Sequence, residues 1–510
     1  MIASCKRIMR NEMTKKYYLG IDQGTTGTTA LIFNEEWNIC GKGYTKHTQY
    51  YPKPGWVEHD PIEIWNKTKE SVAMALDKAE LKAKCLRVIG LDNQGETCMV
   101  WDKNTGEPIY NAIVWQDRRT ARLADELKKE WGDIITQKTG VQIDAYFSAL
   151  KIKWILDNVK NTWSKVKKGV ILTGTLDTWL LWKMTAGEIY MTDPSTASRT
   201  MLFNLHTNQW DDEILGIIGI PRSILPKIMD SVGIYGYTSP TEFFDAKIPI
   251  AGSVVDQAAA LFGQVCFQKG SIKTTYGTGC FMMMNTGNKP IPSQNGLITT
   301  AVWSMDKKIT FALDGGVYIA GAAIQWLIDG LKIINKAAET ETLAKSVPDT
   351  DGVYFVPAFT GLAAPYWDQY AKGMIIGITG GTTKAHIVRA TLEAIAFQVA
   401  ENLDVMRKDS GLPVEFMRVD GGAVVNKFLM QFQADILGIP VDVPDIHETT
   451  ALGVAYLAAL GIDDFDNLDE ISRKWKLSRR YEWNITQDHR QQLMHQWKRV
   501  VARSSKWIET

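Results

Sequence analysis

The chain has 510 residues, of which 45% are hydrophobic and 22% charged, a composition typical of a globular protein with more than one domain. Lysine plus arginine equals aspartate plus glutamate at 57 each, so no overall field favours nucleic acid or an anionic membrane surface. The 6 cysteines form no CxxC pair and no apolar run is long enough to cross a bilayer, which argues against a disulfide framework, a zinc site and membrane insertion, and favours a reducing, cytoplasmic compartment.

Residues 1–16 are basic and lack the apolar core of a secretory signal. We expect a disordered extension here, with Met13 as an alternative start just ahead of the first strand. A short organelle-targeting segment is the less favoured alternative.

Residues 17–33, YYLGIDQGTTGTTALIF, predict a strand, a tight Gly/Thr turn and a second strand. Gly24 and Gly27 allow backbone angles closed to other residues, so the turn can aim several N–H groups and threonine hydroxyls at one point, as a phosphate requires. No Gly-Lys-Ser/Thr follows and no helix opens here, which excludes the P-loop and the dinucleotide fingerprint. An ordinary hairpin with a polar turn is the alternative.

Strands and helices then alternate, which indicates an α/β architecture. The expected elements are a helix over 62–81, strands over 88–92 and 98–101, a helix over 115–131 and a helix within 146–158.

The pattern of the first hairpin returns at residues 271–284, SIKTTYGTGCFMMM, where Gly277, Thr278 and Gly279 form the turn. Just before it, a strand-like run over 248–255 changes abruptly to helix at Asp256. A second half that repeats the first predicts two similar domains, 17–265 and 266–510, with ligand between them.

The second half continues with helices over 321–331 and 386–407, and then a strand, a glycine turn at Gly421 and Gly422, and a helix from Asn426. A turn that leads into a helix N-terminus offers free N–H groups to an anion. The tail from Leu468 onward is expected to be charged and helical.

Several of these segments, in this order, resemble the FGGY carbohydrate kinases and within them the glycerol kinases. The segments are IDQGTT (21–26), YPKPGWVEHDP (51–61), NAIVWQDRRT (111–120), ASRTMLFNLHT (197–207), TYGTGCFMMMNTG (275–287) and VDGGAVVNKFLMQFQADILG (419–438). The resemblance implies an α/β fold of duplicated actin/hexokinase-like (ribonuclease H-like) domains, with the ligand cleft between a polyol-side first domain and a nucleotide-side second domain. It also implies an ATP- and Mg²⁺-dependent transfer of phosphate to a terminal hydroxyl of glycerol or a related polyol, by a protein expected to form a homo-oligomer.

By the same resemblance, Asp256 is the general base that orients the attacking hydroxyl and accepts its proton. Judged by pattern alone, an aspartate at a strand-to-helix switch is an ordinary helix cap. Asp22 is implied to help hold Mg²⁺, whereas its pattern alone indicates turn initiation.

The remaining implied site residues fall into two groups. The polyol-binding group is Glu96, Trp115, Tyr146, Asp256, Gln257 and Phe281. The nucleotide-binding group is Thr25, Thr26, Gly277, Thr278, Gly321, Gln325, Gly422 and Asn426. Taken singly, the aromatic residues read as core packing, the glutamate as a solvated charge, and the threonines and glycines as turn and cap residues.

Two positions depart from the glycerol kinase pattern. Gly95 and Thr29 stand where that pattern has arginines, the first beside the substrate glutamate and the second at the end of the phosphate hairpin. Gly95 motivates a pocket for a longer or differently shaped polyol than glycerol; the alternative is that an arginine from elsewhere, such as Arg118 or Arg119, or bound water fills the space. Gly95 and Thr29 together motivate a third hypothesis, a catalytically weak paralogue that binds nucleotide or polyol.

Overall fold

The computed structural model describes residues 15–368 and 370–508. The expectations of a disordered extension and of a start at Met13 concern residues that lie almost entirely outside the described ones. Within the described part, Lys16 donates a hydrogen bond to Asp464 at 2.8 Å, one residue before the first strand begins.

The described residues form strands and helices in an alternating order. The strands are β1 (Tyr17–Gln23), β2 (Gly27–Phe33), β3 (Ile39–Lys46), β4 (Glu58–His59), β5 (Leu86–Asn93), β6 (Cys98–Asp102), β7 (Ala112–Ile113), β8 (Ile171–Thr175), β9 (Met191–Thr192), β10 (Phe203–Asn204), β11 (Gln209–Trp210), β12 (Lys227–Ile228), β13 (Val232–Tyr237), β14 (Pro249–Val255), β15 (Ile272–Tyr276), β16 (Cys280–Gly287), β17 (Ile298–Met305), β18 (Lys308–Val317), β19 (Tyr354–Val356), β20 (Met374–Ile376), β21 (Met417–Asp420), β22 (Val441–Pro444) and β23 (Leu477–Tyr481). The helices are α1 (Pro61–Ala79), α2 (Ala121–Thr139), α3 (Ser148–Asn158), α4 (Thr162–Lys167), α5 (Leu176–Met184), α6 (Pro194–Ala197), α7 (Asp212–Ile218), α8 (Asp256–Gly263), α9 (Gly321–Asp329), α10 (Glu339–Lys345), α11 (Lys384–Ser410), α12 (Lys427–Leu437), α13 (Thr449–Leu460), α14 (Leu468–Ser472) and α15 (Gln487–Ser504).

The first large sheet has six strands in the order β13-β14-β5-β1-β2-β3. Its three central strands, β14, β5 and β1, run parallel, and β1 continues into the antiparallel hairpin partner β2. Parallel strands bring their carboxyl ends to one edge of a sheet. The loops that follow β1, β5 and β14 therefore meet at one edge.

The second large sheet repeats this arrangement with seven strands in the order β17-β18-β16-β15-β21-β22-β23. Strand β15 pairs antiparallel with β16, as β1 does with β2, and parallel with β21, as β1 does with β5. The predicted α/β fold with a repeated hairpin is confirmed. A smaller four-stranded sheet, β4-β7-β6-β8, inserts into the first half and carries the loops around residues 94–97 and 115.

Helix α13, late in the chain, packs against β1, β5, β14 and α8 of the first sheet. Close backbone approach requires glycine on the strands beneath it. A Cβ atom at Gly20 would lie 2.1 Å from the carbonyl oxygen of Ala451, and one at Gly90 would lie 1.9 Å from that of Val454. The same apolar cluster includes Trp303 from β17, so the two sheets share one core.

Two predicted elements are wrong in extent. The helix expected over 115–131 begins only at Ala121, because the preceding residues form a turn in which Asp117 accepts hydrogen bonds from the backbone of Val57 and Arg119. The tail expected to be helical contains strand β23, which extends the second sheet by pairing with β22. Among the described residues, no helix is long and apolar enough to cross a membrane.

Candidate active site

Each of the two hairpin turns is closed by a backbone hydrogen bond between two of its glycines, over three residues along the chain in the first turn and over two in the second. The N–H of Gly24 donates to the carbonyl of Gly27 at 3.0 Å, and the N–H of Gly277 donates to that of Gly279 at 2.9 Å. Thr26, Gly277 and Thr278 are exposed, which leaves their polar groups accessible to a ligand. Tight turns of this kind concentrate N–H and hydroxyl donors, the arrangement a phosphate requires.

The N-terminus of α9 lies directly on the second hairpin. The N–H of Gly321 donates to the carbonyl of Gly277 at 3.0 Å, and a Cβ atom at Gly321 would lie only 2.5 Å from that oxygen. Glycine is thus required at this contact. Farther along α9, Gln325 is exposed and donates to Asp329 at 2.6 Å.

The turn after β21 presents an open backbone. A Cβ atom at Gly422 would meet nothing within 4 Å, whereas Gly421, with φ +90°, packs against the backbone of Tyr276. The side chain of Asn426 caps α12 by accepting from the N–H of Leu429 at 3.0 Å and donates to Thr340 at 3.0 Å. The predicted strand, turn and helix are therefore present, and the space beside Gly422 is free for a ligand.

Aromatic and charged side chains form a continuous surface next to the first turn. We call this surface the wall; its first members are Trp115 and Tyr146. The indole N–H of Trp115 donates to the hydroxyl of Thr25 at 2.9 Å, and the ring centroids of Trp115 and Tyr146 lie 5.7 Å apart. Burial is the main cause that raises the pKa of Tyr146 well above its usual value. The first hairpin and these two predicted polyol residues therefore form one contiguous surface.

Arg199, which sequence reasoning did not single out, joins this wall to two carboxylates. Its guanidinium donates to Glu96 at 2.5 Å, to Asp314 at 2.8 Å and to the Tyr146 hydroxyl at 3.4 Å. Burial opposes its charge, but the carboxylates of Glu96 and Asp314 hold the pKa of Arg199 well above its usual value. Glu96, only 4% exposed, is a buried ion-pair partner, and interpreting it as a solvated charge is wrong.

The space expected beside Gly95 is filled. A Cβ atom at Gly95 would lie 2.6 Å from Cγ2 of Val255 and 3.0 Å from Cγ of Arg199. Arg118 and Arg119 do not occupy it: Arg118 pairs with Asp144, and Arg119 is committed to the ion pairs described below. The alternative that an arginine from elsewhere fills the space is therefore confirmed, but the residue is Arg199, next to Glu96, and the two examples named for it are wrong.

Asp256 is the first residue of α8, not its cap. The cap position is Val255, and no side chain caps this helix; Asp256 Oδ1 accepts from the N–H of Gln257 at 2.6 Å. Burial, followed by the charges of Glu96 and Asp22, raises the pKa of Asp256 to about 7. Its carboxylate is accordingly matched to accepting a proton near neutral pH.

Lys273, also missed at the sequence level, is on strand β15 of the second hairpin and reaches Gln257, the residue after Asp256. Its ammonium donates to Gln257 Oε1 at 2.5 Å, to the Thr275 hydroxyl at 3.0 Å and to the carbonyl of Phe281 at 3.5 Å. Burial lowers the pKa of Lys273. A lysine at a buried position of a predicted strand was the signal available, since lysine is almost never fully buried without partners.

Asp22 lies at the end of β1, paired in register with Thr29 on β2 and with Asp92 on β5. Burial raises the pKa of Asp22 to about 6, and a side-chain contact with Asp92 opposes that rise. No group of three or more His, Cys, Asp or Glu side chains in residues 15–368 and 370–508 has a metal-binding arrangement. Mg²⁺ typically takes one or two carboxylates together with phosphate oxygens and water, so a half-buried carboxylate here fits that ion.

Comparison with known proteins agrees with this geometry. The family model for the N-terminal domain of the FGGY family of carbohydrate kinases matches residues 17–263, and the model for its C-terminal domain matches residues 272–462. Glycerol kinase 2 of Thermotoga maritima is 56% identical over 96% of this chain and 99% of that protein. The glycerol kinase of Caldanaerobacter subterraneus is 52% identical over 97% of this chain and 99% of its own length.

Solved structures give the same result. The crystal structure of Plasmodium falciparum glycerol kinase with ADP matches with a TM-score of 0.89 at 37% identity, covering 97% of this chain and 99% of that one. The gluconate kinase from Lactobacillus acidophilus matches with a TM-score of 0.86 at 20% identity over 96% of this chain and 98% of its own, a likeness of fold alone. The chain belongs to the FGGY family of carbohydrate kinases.

Proposed function

We propose that the protein is an ATP-dependent kinase that phosphorylates a terminal hydroxyl of glycerol, giving glycerol 3-phosphate and ADP. The observation that carries the proposal is the position of Asp256, a half-buried carboxyl next to Gln257 and close to Lys273, in a chain with two phosphate-type hairpins. Glycerol kinases that are 52% to 56% identical over nearly the full chain support glycerol as the acceptor.

In this proposal the buried wall holds the polyol. Glu96 and Arg199 offer an acceptor and a donor to its hydroxyls, and Trp115 packs against its carbon chain and excludes water. Phe281, half-buried on β16 opposite Gly316, adds a second apolar surface. Each bound hydroxyl replaces water in a site where charged hydrogen bonds are strong.

Asp256 then orients the terminal hydroxyl and accepts its proton as phosphate is transferred. Phosphoryl transfer needs little covalent help, so positioning and charge stabilisation carry most of the catalysis. With a pKa of about 7, raised mainly by burial, Asp256 is both substantially ionised and basic near neutral pH. Lys273 brings a cation close to the same carboxylate and lowers its pKa.

The nucleotide lies, in this proposal, along the two hairpins and the turn at Gly422. The assigned groups are those of Thr25, Thr26, Gly277, Thr278, Gly321, Gln325, Gly422 and Asn426, and the ADP-bound structure of the Plasmodium relative supports use of ATP. Mg²⁺ held at Asp22 would neutralise charge on the phosphate oxygens. A cytoplasmic location and a homo-oligomeric state stay predictions; the free thiols of Cys40, Cys85, Cys98, Cys266 and Cys280 are typical of a reducing compartment.

A coupled assay of ADP release tests the proposal. Glycerol-dependent turnover with ATP, and far weaker turnover with four-carbon and five-carbon polyols, is the expected result. Turnover only with a longer polyol would make that polyol the substrate instead of glycerol. Gly95 does not favour this outcome, because the space around it is filled. Binding of ATP and glycerol without turnover would identify the weak paralogue suggested by Gly95 and Thr29 together.

A further inference from the structure

Asp92, at the end of β5, is a fully buried carboxyl with no hydrogen-bond donor to stabilise its charge. It lies between Asp22 on β1 and Val254 on β14 in the register of the first sheet. Its side chain is 0% exposed, and among the described residues no backbone N–H, hydroxyl or cationic side chain donates to either carboxylate oxygen; its hydrogen-bonding neighbour is the carboxyl of Asp22, itself an acid. Buried polar atoms are nearly always hydrogen-bonded, so two unsatisfied oxygens on one residue call for a partner.

The charges around Asp92 are mostly of the same sign. Burial, then the charges of Asp22 and Asp256, raise the pKa of Asp92 well above its usual value. The nearby buried cations have other partners: Lys273 donates to Gln257 and Thr275, and Arg199 pairs with two other carboxylates. The carboxyl ends of three adjacent parallel strands thus bring together three acids. Lys273 offsets part of the charge of Asp256, but no described cationic side chain donates to Asp92.

We propose that Asp92 and Asp22 form a carboxylate pair that binds a divalent cation directly, so that Asp92 is a second protein ligand for the Mg²⁺ of this kinase. The inference rests on the proposed function for the identity of the ion, and on the orphaned oxygens of Asp92 for the site. Two carboxylates with phosphate and water oxygens complete the coordination that Mg²⁺ prefers. The family resemblance pointed only to Asp22, and the Thr29 departure removes an expected cation from the strand position opposite Asp22.

A structural carboxyl pair that merely shares a proton is the competing explanation, and binding of the metal alone separates the two. Mn²⁺ binding to the full chain, without nucleotide or polyol, is measured by electron paramagnetic resonance for the wild type, Asp92→Asn and Asp177→Asn. Asp177 is the matched control because it is equally buried but accepts hydrogen bonds from Thr175 at 2.5 Å and Thr192 at 2.6 Å. We expect Asp92→Asn to weaken Mn²⁺ binding at least tenfold and Asp177→Asn to leave it unchanged.

Thermal unfolding with and without Mn²⁺ gives the second readout. Without the ion, Asp92→Asn should unfold at a higher temperature than the wild type, because it removes an uncompensated buried acid. Mn²⁺ should stabilise the wild type clearly more than the variant. Asp92→Ser, shorter and neutral, repeats both measurements if the asparagine variant does not fold.

Wild-type Mn²⁺ affinity in the folded Asp92 variants, or no Mn²⁺ binding by the wild type, overturns the inference. The outcome is independent of the kinase proposal. A protein without glycerol-dependent turnover would still bind Mn²⁺ through the pair, and an active kinase whose Asp92→Asn variant binds Mn²⁺ normally would refute only the role of Asp92.

Discussion

The two hairpins have the same backbone design but opposite side-chain chemistry. The β1–β2 hairpin ends at Asp22, whose neighbour on the next strand is Asp92. The β15–β16 hairpin instead carries Lys273, and its parallel neighbour β21 pairs Thr275 with Asp420, which accepts hydrogen bonds from Gln264 and Thr449. The first edge contains Asp92, to which no N–H or hydroxyl donates, and the second contains Lys273 together with an aspartate that accepts two hydrogen bonds.

This difference shows how one repeated unit serves two tasks. Each hairpin places side chains and backbone N–H groups at the end of a sheet. The residue types at those positions decide which ligand charge is favoured. The first edge suits a cation and a proton acceptor, whereas the second suits phosphate. Lys273 of the second hairpin lowers the pKa of Asp256, which follows β14 of the first sheet, so substitutions at these two residues are the most informative.

The largest expected effect comes from removing the carboxylate of Asp256. A general base contributes typically about 10² to 10⁴ in rate, so Asp256→Asn should lower kcat by that range. Steady-state ADP release measures kcat, and the midpoint of thermal unfolding checks that the fold is intact. A variant within tenfold of the wild-type kcat would remove Asp256 as the base.

The next prediction compares Arg199, in the proposed polyol site, with Arg119, which forms an equally buried ion pair elsewhere. Arg199→Met leaves Glu96 and Asp314 unpaired, and Arg119→Met does the same to Glu58 and Asp117. Breaking a buried pair typically costs about 3 to 5 kcal/mol, so denaturant unfolding should show a similar loss of stability in both variants.

Only the Arg199 variant should also raise KM for glycerol. A charge-assisted hydrogen bond is worth about 1.5 to 3 kcal/mol, which corresponds to roughly a tenfold to hundredfold increase. Equal KM values in the two variants would assign Arg199 a structural role alone.

The fold was largely predictable from the sequence because its elements have strong local signals. Gly24 and Gly27 mark the first turn and Gly277 and Gly279 the second, and both hairpins lie where predicted. The start of α2 was not predictable, since the turn before it depends on hydrogen bonds between Asp117 and a segment about 60 residues away.

The candidate site was predictable only in part. Motifs predict single site residues well. They do not predict that Arg199 contacts Glu96, which is 103 positions away in the sequence, and the filling of the space at Gly95 depends on that contact. Lys273 and Asp92 are polar residues in predicted buried strands, a signal of an unusual environment that does not reveal the partner. Which like charges lie close together depends on how the strands pair in the sheet, and local sequence patterns do not give that register.

A smaller effect tests how tightly the first edge is packed around Gly95. Gly95→Ala places a Cβ atom 2.6 Å from Val255, and overpacking of this kind typically costs about 1 to 3 kcal/mol. Urea unfolding should show that loss, and the double variant Gly95→Ala with Val255→Ala should recover part of it. A Gly95→Ala variant as stable as the wild type would show that the space beside Gly95 is open, and this would again support a longer polyol as the substrate.

The smallest effect is a shift in pH dependence where the two edges meet. Because the pKa of Asp256 is raised to about 7, mainly by burial, its carboxyl keeps a proton below that pH and cannot act as a base. We therefore expect kcat/KM to fall about tenfold per pH unit below about pH 7 and to level off above it.

Lys273 lowers the pKa of Asp256, so Lys273→Met should move the acidic limb to higher pH, by about one unit or less. Lys183→Met, at a half-buried lysine of α5 that is no partner of Asp256, controls for the loss of a positive charge and should leave the limb in place. A limb that does not move in Lys273→Met, or a flat profile between about pH 5.5 and pH 8, would separate Asp256 from the proton transfer and leave the two edges electrostatically independent.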